Sequence, residues 1–262
     1  MILVKPNESS PRVAVIQILL NRSGNKLTVD GIFGHKMRDA VIDFQINNGI
    51  TSANGQVGPS TWRQLPRGSN TEVVDVVDIG DPTVGGSAVS QLQSAGGEPI
   101  QLGLMCGGVE QMVGDVIDRS SGPGSIALLR ITGHGNLGHW LTVSVGEVVH
   151  LKKDDPPYYR EKQAEFHSYI DWDHFDALAH TLSRLREFFA PYGMMEHGGC
   201  SLGSVTNTRK LMIRLADLWA VPVSVGVGLQ TSILNFDGRT FTAYPKHGTL
   251  ASWTRPFREA TY

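Results

Sequence analysis

Only two cysteines, Cys106 and Cys200, occur in 262 residues, too few for a disulfide framework in a chain of this size. Each sits among glycines at the end of an apolar run, in Leu104-Met105-Cys106-Gly107-Gly108 and Gly198-Gly199-Cys200, and both read as free thiols. Nowhere do eighteen apolar residues run together, so no membrane span is expected. Lysine plus arginine total 23 against 25 aspartates and glutamates, a formal net charge of −2. Without a basic excess to neutralise phosphates, no nucleic-acid partner is expected. The opening MILVKPNESSPR lacks a basic n-region and has too short an apolar stretch for a signal peptide. Repeats and low-complexity segments are absent as well.

What the chain does have is glycine, 30 residues of it, suited to tight turns between regular elements. It also has length enough for two domains, and two textures. Residues 13–20, VAVIQILL, and 37–47, MRDAVIDFQIN, have apolar spacing that predicts short amphipathic helices. Pro59-Ser60-Thr61-Trp62 is a start signal for a third. Between the first two, Val29-Asp30-Gly31-Ile32-Phe33-Gly34 reads as a turn, with Phe33 and Phe44 sharing a miniature core capped by Trp62. Pro66-Arg67-Gly68-Ser69-Asn70 reads as a linker. The boundaries expected are 1–66 for the helical unit, 67–71 for the linker and 72–262 for the remainder.

From Glu72 onward, strand-like runs at 72–79, 100–105, 125–133, 192–198 and 221–228 alternate with helix-like runs at 87–94, 109–119, 175–189 and 208–220. Such alternation predicts a mostly parallel sheet with helices on both faces. Residues 152–172, broken by Pro156-Pro157, read as a surface loop or lid, with Lys152-Lys153-Asp154-Asp155 solvated. Two of the strands end in chemistry: Ile131-Thr132-Gly133-His134-Gly135 and Glu196-His197-Gly198-Gly199-Cys200. An open α/β sheet collects ligands at the carboxyl ends of its strands, and a thiol with an imidazole are the parts of a cysteine-nucleophile hydrolase. The bland alternative is a Cys that fills core space and a His that satisfies a turn. A third reading joins His134, His139, His197 and Cys200 as a zinc site. Glu196 and His197 alternate in face, so only one of them shares the side of Cys200 while the strand stays extended. Arg130 is read either as a partner for a substrate carboxylate or as pairing with surface acids such as Asp217.

The pieces Asp30-Gly31-Ile32-Phe33-Gly34, Ala40-Val41-Ile42-Asp43-Phe44-Gln45 and Val57-Gly58-Pro59-Ser60-Thr61-Trp62, over about residues 10–66, resemble the peptidoglycan-binding domain 1 family. One departure is Met37, where that family usually has threonine. The resemblance implies a shallow groove for glycan or stem peptide, with Asp30, Phe33 and Trp62 as its ligand-binding residues. Over about residues 100–230, the order strand–His–Gly, long helix, strand–Cys, helix, strand resembles the caspase-like fold of clan CD cysteine peptidases and bacterial domains of the CHAT type. This second resemblance implies Cys200 as nucleophile and His134 as proton carrier. Gly135 and Gly199 would let backbone N–H groups reach a tetrahedral oxygen, and a helix shortly after Cys200 would aid thiolate and oxyanion.

Together these imply a small all-α three-helix module followed by an α/β three-layer caspase-like domain with a mostly parallel sheet. The expected function is a cysteine peptidase or amide hydrolase, without cofactor or metal, at the bacterial cell envelope or secreted by a route without a visible signal peptide, with a cytoplasmic place as the alternative. Its partner would be peptidoglycan or an envelope protein substrate. The alternative is a catalytically silent caspase-like domain that serves binding or assembly while anchored to peptidoglycan.

Overall fold

The computed structural model describes residues 3–67, 69–80, 82–94, 96–103, 106–135, 140–144, 168–230, 236 and 238–246. Three helices come first: α1 (Pro11–Arg22), α2 (His35–Asn47) and α3 (Pro59–Gln64). Proline opens α1 and α3, where its fixed φ and missing N–H cost nothing. The run VAVIQILL is not amphipathic in place. Val13 through Gln17, Leu19 and Leu20 are all buried, because α1 lies between α2 and the sheet. A helix apolar all round is a helix buried all round.

The remainder runs β1 (Glu72–Asp78), α4 (Pro82–Ser94), β2 (Ile100–Leu102), α5 (Gly108–Arg119), β3 (Ile126–Thr132), β4 (Trp140–Thr142), β5 (Tyr169–Asp171), α6 (Phe175–Ser183), β6 (Phe189–His197), α7 (Thr206–Trp219), β7 (Val223–Gly226) and β8 (Thr240–Ala243). Six strands form one sheet in the order β2-β1-β3-β6-β7-β8, and β4 pairs with β5 alone. Every pairing in the large sheet is parallel except β7 with β8. The central β3, IALLRIT, is buried along its whole length, as a parallel strand covered on both faces must be. Helices α5, α6 and α7 pack in a row on one face. Right-handed crossovers put α4 on the other face, where α1 covers β6.

Three expectations shift. The run 175–189 holds a helix only to Ser183; its last turns tighten to i→i+3 bonds (Arg184 to Thr181, Leu185 to Leu182, Arg186 to Ser183). The Trp219 indole N–H also donates to the Leu182 carbonyl, at 2.8 Å, and Ile126 N–H donates to Phe188 O at 2.8 Å, drawing the chain into the sheet. Tyr169–Asp171, inside the segment read as loop or lid, is strand β5. The residues 152–167 of that segment, Lys152 to Asp155 included, lie outside the described residues. Thr240–Ala243, for which no strand was expected, closes the sheet as β8.

The face beneath the helical unit carries a row of polar residues in register. Asp75 pairs with Arg130, Arg130 with Glu196, Glu196 with Ser224 and Ser224 with Thr242. Arg130, Glu196, Ser224 and Thr242 are buried. Partners in parallel register share a face, so Arg12 of α1 and Trp62 of α3 meet this row from above.

Candidate functional site

Adjacent strands deliver His134 and Cys200 to the same place. In the β3–β6 ladder Ile131 stands opposite His197, and Gly198 N–H donates to Ile131 O at 2.9 Å. Three residues beyond that pair on either strand are His134 and Cys200, both half-buried. Their loops touch through backbone. A Cβ added to Gly199 would lie 2.7 Å from the Gly135 nitrogen, and one on Gly135 would lie 2.9 Å from Cys200 O and 2.6 Å from Leu202 Cγ. Close approach therefore demands both glycines. Gly135→Ala is expected to lower the free energy of unfolding by about 1–3 kcal/mol through this overpacking, read by urea unfolding.

The backbone donors around Cys200 divide into used and unused. Gly199 N–H donates to His197 Nδ1 at 2.9 Å, so Gly199 shapes the site and offers no N–H to a reacting oxygen. The N–H groups of Gly135 and Cys200 have no protein acceptor among the described residues. The helix expected after Cys200 stands farther off. Ser201 takes a left-handed conformation with φ 56°, a 3₁₀ turn at Leu202–Ser204 follows, and α7 starts only at Thr206. Cys200 Sγ accepts Gln230 N–H at 3.3 Å and lies 3.5 Å from Gln230 O.

His197 organises this corner. Its Nε2 lies 3.2 Å from Thr142 O on β4, and its Nδ1 receives Gly199 N–H, which fixes a neutral ring with the proton on Nε2. Burial drives its pKa from 6.5 down to about 4, with His134 nearby adding to the fall and the Thr142 carbonyl opposing it. The unfolded imidazole takes a proton below pH 6.5, the folded one only near 4. The contribution is thus intact above pH 6.5 and lost as pH falls toward 4, by on the order of 3 kcal/mol. Urea unfolding of wild type and His197→Asn between pH 4 and 7 checks this; the wild type loses more stability on acidification.

The other residues singled out in the sequence fall elsewhere. Glu196 points to the opposite face, toward Arg12. Arg130 forms an internal bidentate pair with Asp75 at 2.6 and 2.7 Å, under the helical unit and away from the crevice. Cys106 Sγ accepts Gly108 N–H at 3.3 Å at the start of α5 and packs against the core. For the zinc reading, His139 lies outside the described residues, and both ring nitrogens of His197 are engaged. No cluster of three potential ligands occurs among the described residues. Asp78 escaped the sequence reading. It is buried at the carboxyl end of β1 beside Gly133, and its carboxylate accepts Gly80 N–H at 2.9 Å. Its signal was an acid ending an apolar strand.

In the helical unit, Phe33 and Trp62 are 0% and 1% exposed, so neither offers side-chain surface to a ligand. Burial follows from their bulk in so small a core. Asp30 holds the turn: Oδ1 accepts Gln17 Nε2–H at 2.8 Å and Ile32 N–H at 2.9 Å. Gln17 Oε1 in turn accepts Gly31 N–H at 2.8 Å, and Gly31 has φ 69°. Asp30 also lines an open groove of about 280 Å³ with Lys26, His35, Lys36 and Ile32, which is 55% exposed. Basic groups over an exposed apolar residue suit a ligand with carboxylates and an apolar body.

Residues 9–65 match the peptidoglycan binding domain family, and a peptidoglycan-binding module is what this part of the chain carries. Among solved structures, a peptidoglycan-binding protein from Clostridioides difficile in complex with glutamine hydroxamate is 35% identical over 25% of this chain and 40% of that one, with a TM-score of 0.24. No curated protein matches the chain. A cell-wall association goes with the module, and no described helix is long and apolar enough to cross a membrane.

Proposed function

We propose that the chain is a cysteine-dependent peptidase or amide hydrolase with a three-layer caspase-like domain over residues 72–262. Its N-terminal unit, residues 1–66, holds it to peptidoglycan. The observation that carries this is the level placement of His134 and Cys200 at the carboxyl ends of two adjacent parallel strands, with their glycine loops in backbone contact. The N–H groups of Gly135 and Cys200 beside them, without an acceptor among the described residues, support it.

In the reaction, Cys200 Sγ gives its proton to His134 and bonds to the carbonyl carbon. The N–H groups of Gly135 and Cys200 meet the oxyanion. His134 passes the proton to the leaving amine as the C–N bond breaks, leaving a thioester. Water, deprotonated by His134, attacks that thioester and releases the acid and the thiol. The substrate is the stem peptide of the wall or an envelope protein, and a tether to an insoluble substrate raises local concentration.

One observation favours the silent alternative: the Gln230 backbone occupies Cys200 Sγ. Assays of wild type, Cys200→Ala and His134→Ala on mixed peptides and purified sacculi separate the two readings.

A further inference from the structure

We propose that the cavity between the helical unit and the sheet is a second binding site, one for a short peptide bearing several carboxylates. It encloses about 470 Å³ beside α3, α4 and β1, within the range of small-molecule sites. It lies toward the amino-terminal half of β1, away from Cys200. Its floor is Arg130, 3% exposed. Two nitrogens of this guanidinium hold both oxygens of Asp75, and the third, Nη1, is buried with no hydrogen-bond partner. A buried donor left unmade is costly, and this one is sealed from solvent, so a ligand oxygen meets it only once the side chains over it shift.

Three exposed arginines surround the opening: Arg63, Arg67 and Arg119. Arg63 donates to Gly96 O and Arg119 to Glu98 O, so neutral carbonyls hold them in place. None of the three has an acidic partner among the described residues. Arg63 lies so close over Gly96 that a Cβ there would sit 1.7 Å from its Nη1, and φ of 74° also calls for glycine. Three acids also line the cavity, Glu72, Asp75 and Glu98, against the four arginines, so the lining keeps a net positive charge. Asp75 is taken by Arg130, and Glu72 accepts Ser121 N–H and Ser125 O–H. Pro59 and Val73, both half-buried, supply an apolar wall. Planar guanidinium forks arranged around an apolar wall recognise carboxylates in preference to point anions. The choice of a wall stem peptide as ligand rests on the wall-tethered reading above; the carboxylate chemistry does not.

The test titrates the full chain calorimetrically with the sugar-free stem tripeptide alanyl-γ-glutamyl-diaminopimelate and with its fully amidated form. Saturable binding is expected, weakened at least about tenfold by Arg63→Gln combined with Arg119→Gln, and to a like extent by amidation. Arg186→Gln with Arg239→Gln, exposed and outside both cavities, leaves it unchanged. Equal binding of the amidated peptide, loss through Lys26→Gln with Lys36→Gln while Arg63→Gln with Arg119→Gln has no effect, or no binding to wild type overturns the proposal. Inorganic phosphate competing as well as the tripeptide overturns the peptide class. Failure to pellet with sacculi while the titration stands counts against the wall tether only.

Discussion

Under the proposed hydrolase reading, Cys200→Ala is expected to lower the kcat of amide hydrolysis by at least about 10⁴-fold, and His134→Ala by a comparable factor, with pelleting on sacculi unchanged in both. The two groups act as one device. Removing the thiol removes the acyl-enzyme, and removing the imidazole leaves a thiol with no carrier for the proton it must lose and return. The double variant is therefore no worse than either single one. Both side chains are half-buried at the surface of a crevice, so alanine leaves no large core cavity and the melting temperature stays close to wild type. The binding groove draws on residues between Gln17 and Met37 alone, remote in sequence from both. Iodoacetamide reports the ground state separately. A Cys200 that alkylates faster than Cys106 has a partner that helps ionise it. Wild type inactive on peptides and sacculi, with Cys200 no faster than Cys106, leaves the anchored, silent domain instead.

Much of the site was legible because it follows from strand ends. Ile131 and His197 are the last residues of apolar runs, and the offset of three from each to His134 and Cys200 is visible in the sequence. That the two strands are neighbours required only the alternation of elements. What could not be read was the use of individual backbone donors. Nothing in Glu196-His197-Gly198-Gly199-Cys200 says that His197 claims Gly199 N–H while Cys200 N–H meets no acceptor among the described residues. That depends on β4, a three-residue strand whose Thr142 carbonyl fixes the imidazole from another part of the chain. In the helical unit the glycine turn was legible and the Gln17–Asp30 hydrogen bonds that hold it were not, and aromatic residues read as ligand contacts serve as core. A three-helix unit has few positions that can bury a Trp, and its core claims them first. The apolar run VAVIQILL carried a signal that went unused. With a single polar residue in eight, it has no face for water, and the sheet covers the side that α2 leaves open.

That cover predicts the second large effect: Arg12→Ala costs about 3–5 kcal/mol of stability at neutral pH, while Glu196→Gln costs less than about 1. Arg12 is 5% exposed, forks onto Glu8 at 2.6 and 3.1 Å, and reaches Glu196 on β6 at 3.8 Å. Burial works against its charge, but Glu196 and Glu8 outweigh burial and hold its pKa above the ordinary value. Glu196 is in the reverse position. Burial pushes its carboxyl pKa up against the pull of Arg12 and Arg130, and Oε2 has no hydrogen-bond partner. A carboxyl whose folded pKa is raised favours the fold at low pH and loses that contribution as pH rises through the folded value. Removing Arg12 raises it further, so the deficit of Arg12→Ala relative to wild type is larger at pH 8 than at pH 5. Glu196→Gln removes the charge that Arg12 compensates and keeps the shape, so adding it to Arg12→Ala recovers part of the loss. Urea unfolding of the two single variants and the double at both pH values measures the coupling. Additive losses with no dependence on pH would mean that the helical unit rests on the sheet through apolar contacts alone. Coupling of 1 kcal/mol or more, of the order found for residues sharing a network, would mean that the wall module and the strand bearing Cys200 are joined by charge.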